Sequence, residues 1–136
     1  VTHYTASAHD ELARVLASEE LDFVQINYSL GERDAEKRIL PLAADQRIAV
    51  LINRPLGAGT LFSKVRGKAL PPWATEFGCA SWAQYFLKFV ISHAAVTCAI
   101  PATGKLAHLI DNMQAGFGPL PDAKTRHRMA DHFATL

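Results

Sequence analysis

The chain has 136 residues, 49% of them hydrophobic and 20% charged, and its 14 basic and 13 acidic side chains leave a formal charge of +1. This length fits one domain, and the near-neutral composition excludes a disordered chain and argues against nucleic acid as a partner. No apolar run approaches the roughly 20 residues that span a bilayer, so no membrane partner is expected.

Val1-Thr2-His3-Tyr4 lacks the basic-then-apolar order of a signal peptide and reads as an internal cut or a processed end. Ser7 followed by Asp10 resembles a capping box, and Leu12, Val15 and Leu16 recur at helical spacing, which predicts a helix over about residues 8–19. Residues 23–28, Phe-Val-Gln-Ile-Asn-Tyr, predict a strand with Gln25 and Asn27 on one face and Val24, Ile26 and Tyr28 on the other. Residues 34–44 carry Ile39, Leu40 and Ala43 at helical spacing, and Pro41 implies a kink or a late start.

The continuous apolar run 48–53 predicts a parallel strand buried on both faces. Ser81 caps a helix whose Trp82, Tyr85, Phe86, Phe89 and Val90 read as a core stripe, the alternative being aromatics that stack on a cofactor. Residues 95–100 predict a third strand stopped by Pro101, residues 106–114 a helix, and residues 122–134 a last, basic helix. Cys79 and Cys98 lack Cys-x-x-Cys spacing and read as two buried thiols in a reducing, cytoplasmic setting. The histidines show no metal-ligand spacing, so no metal is expected.

Helices alternating with strands predict an α/β fold built on a parallel sheet with right-handed crossovers. Too few strands are visible to close a barrel, so the elements look incomplete. The long connection 56–78 carries Lys64, Arg66 and Lys68. It reads either as a phosphate-contacting lid or as a solvated surface loop.

Three segments at the strand ends resemble the aldo-keto reductase superfamily: residues 23–28, the run Asn53-Arg54-Pro55-Leu56-Gly57-Ala58-Gly59, and Ile100-Pro101 leading into Asp111-Asn112. The similarity covers nearly the whole chain and aligns with the second half of that family's TIM-type (β/α)8 barrel. It implies that residues 1–136 form a single C-terminal half-barrel: strands five to eight with their helices and a C-terminal helix. Residues 1–4 would then be the fourth strand or its end.

The resemblance also implies a nicotinamide cofactor, NADP(H) or NAD(H), across the mouth of the barrel. Thr2 and His3 then stand where a Ser-Asn pair holds the carboxamide, and Gln25 shares that task or is simply a polar residue satisfied inside the barrel. Asn53 and Arg54 end the second strand at the cofactor, Asn53 replacing an aromatic that stacks on the nicotinamide. Leu56, Gly57 and Gly59 line the pyrophosphate. Thr103 stands where a Ser contacts the ribose phosphate and His108 where an Arg grips it, with Lys105 as a compensating point charge. Asp111 and Asn112 hold adenine. The family's catalytic Asp, Tyr, Lys and His come from the first four strands, so no catalytic residue is assigned here.

Three functions follow. The first is the cofactor-binding half of an NAD(P)H-dependent carbonyl oxidoreductase, inactive alone and needing its N-terminal half. The second is a self-associating half-barrel, a homodimer, that binds a nucleotide or phosphate without catalysis. The third is a ligand-free fold remnant that serves assembly.

Overall fold

The computed structural model describes residues 1–2 and 5–136. Three parallel strands, β1 (Phe23–Asn27), β2 (Ala49–Asn53) and β3 (Cys98–Ala99), lie in sequential order. Around them run α1 (His9–Ser18), α2 (Ile39–Asp45), α3 (Thr60–Lys64), α4 (Trp82–Ile91), α5 (Leu106–Gln114) and α6 (Ala123–Thr135). Thr2 bridges Gln25 in parallel, and the Gln25 amide donates to the Val1 carbonyl at 2.8 Å, so a strand stub flanks the outer edge of β1.

The period-2 alternation divides the sheet into two unlike faces. Val24, Ile26, Tyr28, Val50 and Ile52 are fully buried, in one core with Leu12, Leu16, Ile39, Leu40 and the inner side of α4. The register sets Phe23 beside Ala49, Gln25 beside Leu51 and Leu51 beside Cys98 on the opposite face. There Phe23 is 55% exposed, Gln25 and Leu51 are half-buried and Cys98 is exposed. The expectations of a β2 buried on both faces and of two buried thiols are therefore corrected: helices cover one face only. Cys79 is the buried thiol, and burial pushes its pKa up to about 11.

Several local expectations are also revised. Residues 6–8 form a 3-10 turn, Ser7 Oγ meets Thr5 Oγ1 at 3.1 Å, and α1 starts at His9 behind Ala8 with no side-chain cap, so the capping box does not form. Asp34–Lys37 is a 3-10 turn and α2 starts at Ile39. Pro41 thus sits in the first turn, where its missing N–H has no intrahelical partner to lose.

The third strand is shorter than its apolar run, because Val96 turns back onto the His93 carbonyl at 2.9 Å. The long connection is no open loop. It folds into α3 and a 3-10 turn, Pro72–Phe77, and anchors through buried Leu61, Val65, Ala74 and Phe77.

The C-terminal helix is fastened by a polar network that joins residues far apart in sequence. Arg126 on α6 donates to the Tyr28 hydroxyl at 2.6 Å, to Glu36 Oε1 at 3.0 Å and to the Phe89 carbonyl, and lies 4.3 Å over the Phe89 ring. Tyr28 in turn donates to Glu36, and burial raises its hydroxyl pKa above the ordinary value.

Candidate functional site at the strand C-termini

A cavity of about 630 Å³ opens where β2 and β3 end. Its first wall is the chain leaving β2. Arg54 (φ 49°) leads through Pro55 and Leu56 into Gly57 (φ 58°), Ala58 (φ 51°) and Gly59 (φ 91°), three successive left-handed residues. Glycine is required at 57 on two grounds: the positive φ, and a Cβ that would fall 2.9 Å from Thr60 Oγ1. At Gly59 a Cβ would meet nothing within 4 Å, so that backbone faces open space.

The second wall is the chain leaving β3, Ile100 to Thr103, where the Thr103 hydroxyl accepts the Lys105 amide at 3.2 Å. His108, Asp111 and Asn112 on α5 make the third. Phe62 from α3 and Ser81, Trp82 and Ala83 at the start of α4 complete it. The α4 start is capped, since Ser81 Oγ accepts the Gln84 amide at 3.1 Å.

Asp111 ties two of these walls together. Its carboxylate accepts from Ser81 Oγ at 2.7 Å and from Gln84 Nε2 at 2.6 Å, and Gln84 Oε1 accepts the Ala80 amide at 2.9 Å. Both Asp111 oxygens are thus engaged by neutral donors.

Of the residues singled out from sequence, Arg54, Leu56, Gly59, Thr103, His108, Asp111 and Asn112 line this one cavity. Gly57 shapes its turn from behind. Asn53 is buried one residue before Arg54, and Lys105 is exposed beside the cavity without lining it. Thr2 and Gln25 pair on the far side of β1, and His3 lies outside the described residues.

The basic residues of the long connection do not reach the cavity. Lys64 sits 4.6 Å over the Phe133 ring, Lys68 donates to the Leu136 carbonyl, and Arg66 is exposed elsewhere, so the phosphate-lid reading is corrected. Phe62 carried no signal in the sequence, and Trp82 was read chiefly as part of the core stripe, with stacking on a cofactor as the alternative. Trp82 begins the α4 stripe but is only half-buried, its Nε1–H donating to the Lys68 carbonyl at 2.8 Å. Its position at the capped end of the stripe, rather than mid-helix, was the signal available.

Two comparisons bear on this arrangement. The model of the Aldo/keto reductase family matches residues 4–127. The chain belongs to that family. An aldo-keto reductase from Klebsiella pneumoniae in complex with NADPH superposes with a TM-score of 0.68 at 21% identity, covering 90% of this chain and 44% of that one. The holo form of aldo-keto reductase AKR11C1 from Bacillus halodurans gives 0.67 at 14% identity, covering 91% and 46%. At these identities the likeness is one of fold, an α/β fold with parallel strands. The chain spans slightly under half the length of the aldo-keto reductases it matches. Among the described residues no helix is long and apolar enough to cross a membrane.

Proposed function

We propose that this chain is the C-terminal, cofactor-binding half of an NAD(P)H-dependent aldo-keto reductase barrel. The observation that carries the reading is the cavity at the strand C-termini, which gathers residues from both βα loops and α5. Parallel α/β barrels place their sites at this end, with phosphate groups held by the last two loops.

The cavity fits an extended dinucleotide in chemistry as well as size. The Arg54 guanidinium and the open backbone at Gly59 suit a pyrophosphate, Thr103 and the first turn of α5 suit phosphate or ribose oxygens, and Phe62 and Trp82 offer apolar wall. When bound, the cofactor supplies a hydride. This chain's residues bind and orient it and shield it from water. Among the described residues no Tyr or Lys lines the cavity, so the acid that protonates a developing alkoxide is assigned to the other half of the barrel.

Two further features support a half-barrel. On the sheet face opposite the core, Phe23 and Ile100 are exposed and Leu51 is half-buried, and among the described residues β3 is paired on one side only. α5 also turns its apolar stripe outward, with Leu106 72%, Ile110 54% and Met113 59% exposed. Contiguous apolar surface of this kind marks an interface. The same stripe favours the second reading, a half-barrel that pairs with its own copy and binds a nucleotide without catalysis.

Titration of the purified chain with NADPH, followed by cofactor fluorescence, tests the proposal. Weak binding that His108→Ala weakens further is expected, with no carbonyl turnover. Equal binding by both proteins removes His108 from the site. Turnover by the chain alone defeats the division of labour.

A further inference from the structure

A second cavity, of about 430 Å³, lies at the opposite end of α4 from the cavity at the strand C-termini. Ser81, Trp82 and Ala83 line the first, whereas Phe89, Ser92 and His93 line the second, and the two share no residue. Its size falls within the range of about 300–1,000 Å³ that small-molecule sites occupy. Arg33 and Glu36, before α2, and Arg126 and His127, at the start of α6, complete its polar wall.

The hydrogen-bonding roles in this wall are fixed by neighbours. The Ala95 amide donates to His93 Nδ1 at 3.1 Å, which leaves the ring proton on Nε2 as a donor. Burial, with the Arg126 charge, lowers the His93 pKa below 6.5 and keeps that ring neutral. His127 is set the other way. Its Nδ1 lies 2.7 Å from the Ala123 carbonyl, which can only accept, so the neutral ring presents Nε2 as an acceptor.

The charges divide in a similar manner. Arg126 is buried and turns its terminal N–H groups to Phe89, Ser92, Tyr28 and Glu36. The described bonds to Glu36, from Arg126 and Tyr28, both fall on Oε1, so Oε2 remains as an acceptor while Arg126 balances the charge. Arg33 is exposed, and among the described residues no side-chain hydrogen bond or ion pair engages its guanidinium.

We infer that this cavity is a second small-molecule site, and that it takes a small carboxylate with an adjacent hydrogen-bond donor, an α-amino or α-hydroxy acid. This reading is independent of the dinucleotide proposal. The Arg33 fork matches a carboxylate in shape and charge, and His93 Nε2–H adds a neutral donor. A plain anion would face Glu36 Oε2, and like charges repel. An amino or hydroxyl group turned to Glu36 Oε2 and His127 Nε2 replaces that repulsion with a hydrogen bond. A plain cation instead meets Arg33 and Arg126.

The test is NMR titration of the 136-residue chain with L-alanine, L-lactate, acetate and ethanolamine, for wild type, Arg33→Ala and His127→Ala. Alanine or lactate should shift the backbone amides of residues 92–95 and 124–127 and leave those of 57–59 and 81–83, at the first cavity, in place. The tighter of the two should bind at least about tenfold more tightly than acetate or ethanolamine. Arg33→Ala should weaken that acid at least about tenfold, and His127→Ala at least about threefold while leaving acetate unchanged. Both substitutions are at exposed positions, and the series of four probes on wild type carries the test without either.

Acetate or ethanolamine bound as tightly as alanine and lactate overturns the ligand class. Shifts confined to the first cavity, or absent with every probe, overturn the site. Unchanged binding by folded Arg33→Ala overturns the role of its guanidinium. Equal weakening of acetate and the preferred acid in His127→Ala overturns the acceptor role of His127.

Discussion

α4 and α5 are amphipathic helices of nearly equal length, yet they attach to the molecule in opposite ways. α4 buries Tyr85, Phe86, Phe89 and Val90 to 1% exposure or less between the sheet and α6. α5 buries only Asn112, points Leu106, Ile110 and Met113 outward, and is held through Asp111 to the α4 N-terminus. Amphipathic spacing states that a helix owns an apolar face. Whether that face is covered depends on a neighbour at the right distance. At α4 the neighbours are the fully buried side chains of β1 and β2; at α5, past the edge strand β3, the described residues supply none.

The contrast can be broken at its strongest point first. Phe86→Ala removes a fully buried ring on α4 and should cost about 3–5 kcal/mol in urea denaturation, enough to unfold a marginal domain. Asp111→Ala strips the donors on Ser81 and Gln84 of their acceptor and should cost about 1–3 kcal/mol, with faster amide exchange along α5 while α4 stays protected. Ser81→Ala removes the α4 cap and one strut of the same clamp, for about 1 kcal/mol by thermal denaturation. Ile110→Ser, on the outward stripe, should change stability by less than about 0.5 kcal/mol in a monomer. A larger effect, growing with protein concentration, would show that a second copy covers α5.

The C-terminal end of α4 adds a pH dependence. Burial, with the Arg126 charge acting in the same direction, holds the His93 imidazole below its ordinary value of 6.5, partly offset by Glu36. The folded protein therefore resists a proton that the unfolded chain takes up near 6.5, so stability from this site is present above that pH and is lost as pH falls through it. Denaturation midpoints should drop between about pH 7.5 and about pH 5.5, and His93→Gln should flatten part of that drop.

Much of the fold is written in short-range patterns. The apolar runs around β1 and β2, the Ser81 cap and the Asp122 cap, whose carboxylate accepts the Thr125 amide at 2.7 Å, are consequences of residues within one or two turns of each other. The turn 57–59 was singled out through the family resemblance; its positive φ at Gly57, Ala58 and Gly59 came from the structure. The long connection misled because its burial comes from isolated anchors, Leu61, Val65, Ala74 and Phe77, with too little periodicity to register as a helix.

The sequence by itself determined that the chain alternates helix and strand, that Gln25 and Asn27 face away from Val24 and Ile26, and that polar residues gather after the second and third strands. These are properties of chemical order along a backbone with fixed periods. Tertiary structure alone decided which charges are left uncompensated. It brought Arg126 to Tyr28 and Glu36 across 98 and 90 residues, closing that network, and set Asp111 against the neutral donors of Ser81 and Gln84. Electrostatic partnership depends on distances of a few ångströms between residues far apart in the chain, and only folding sets those distances.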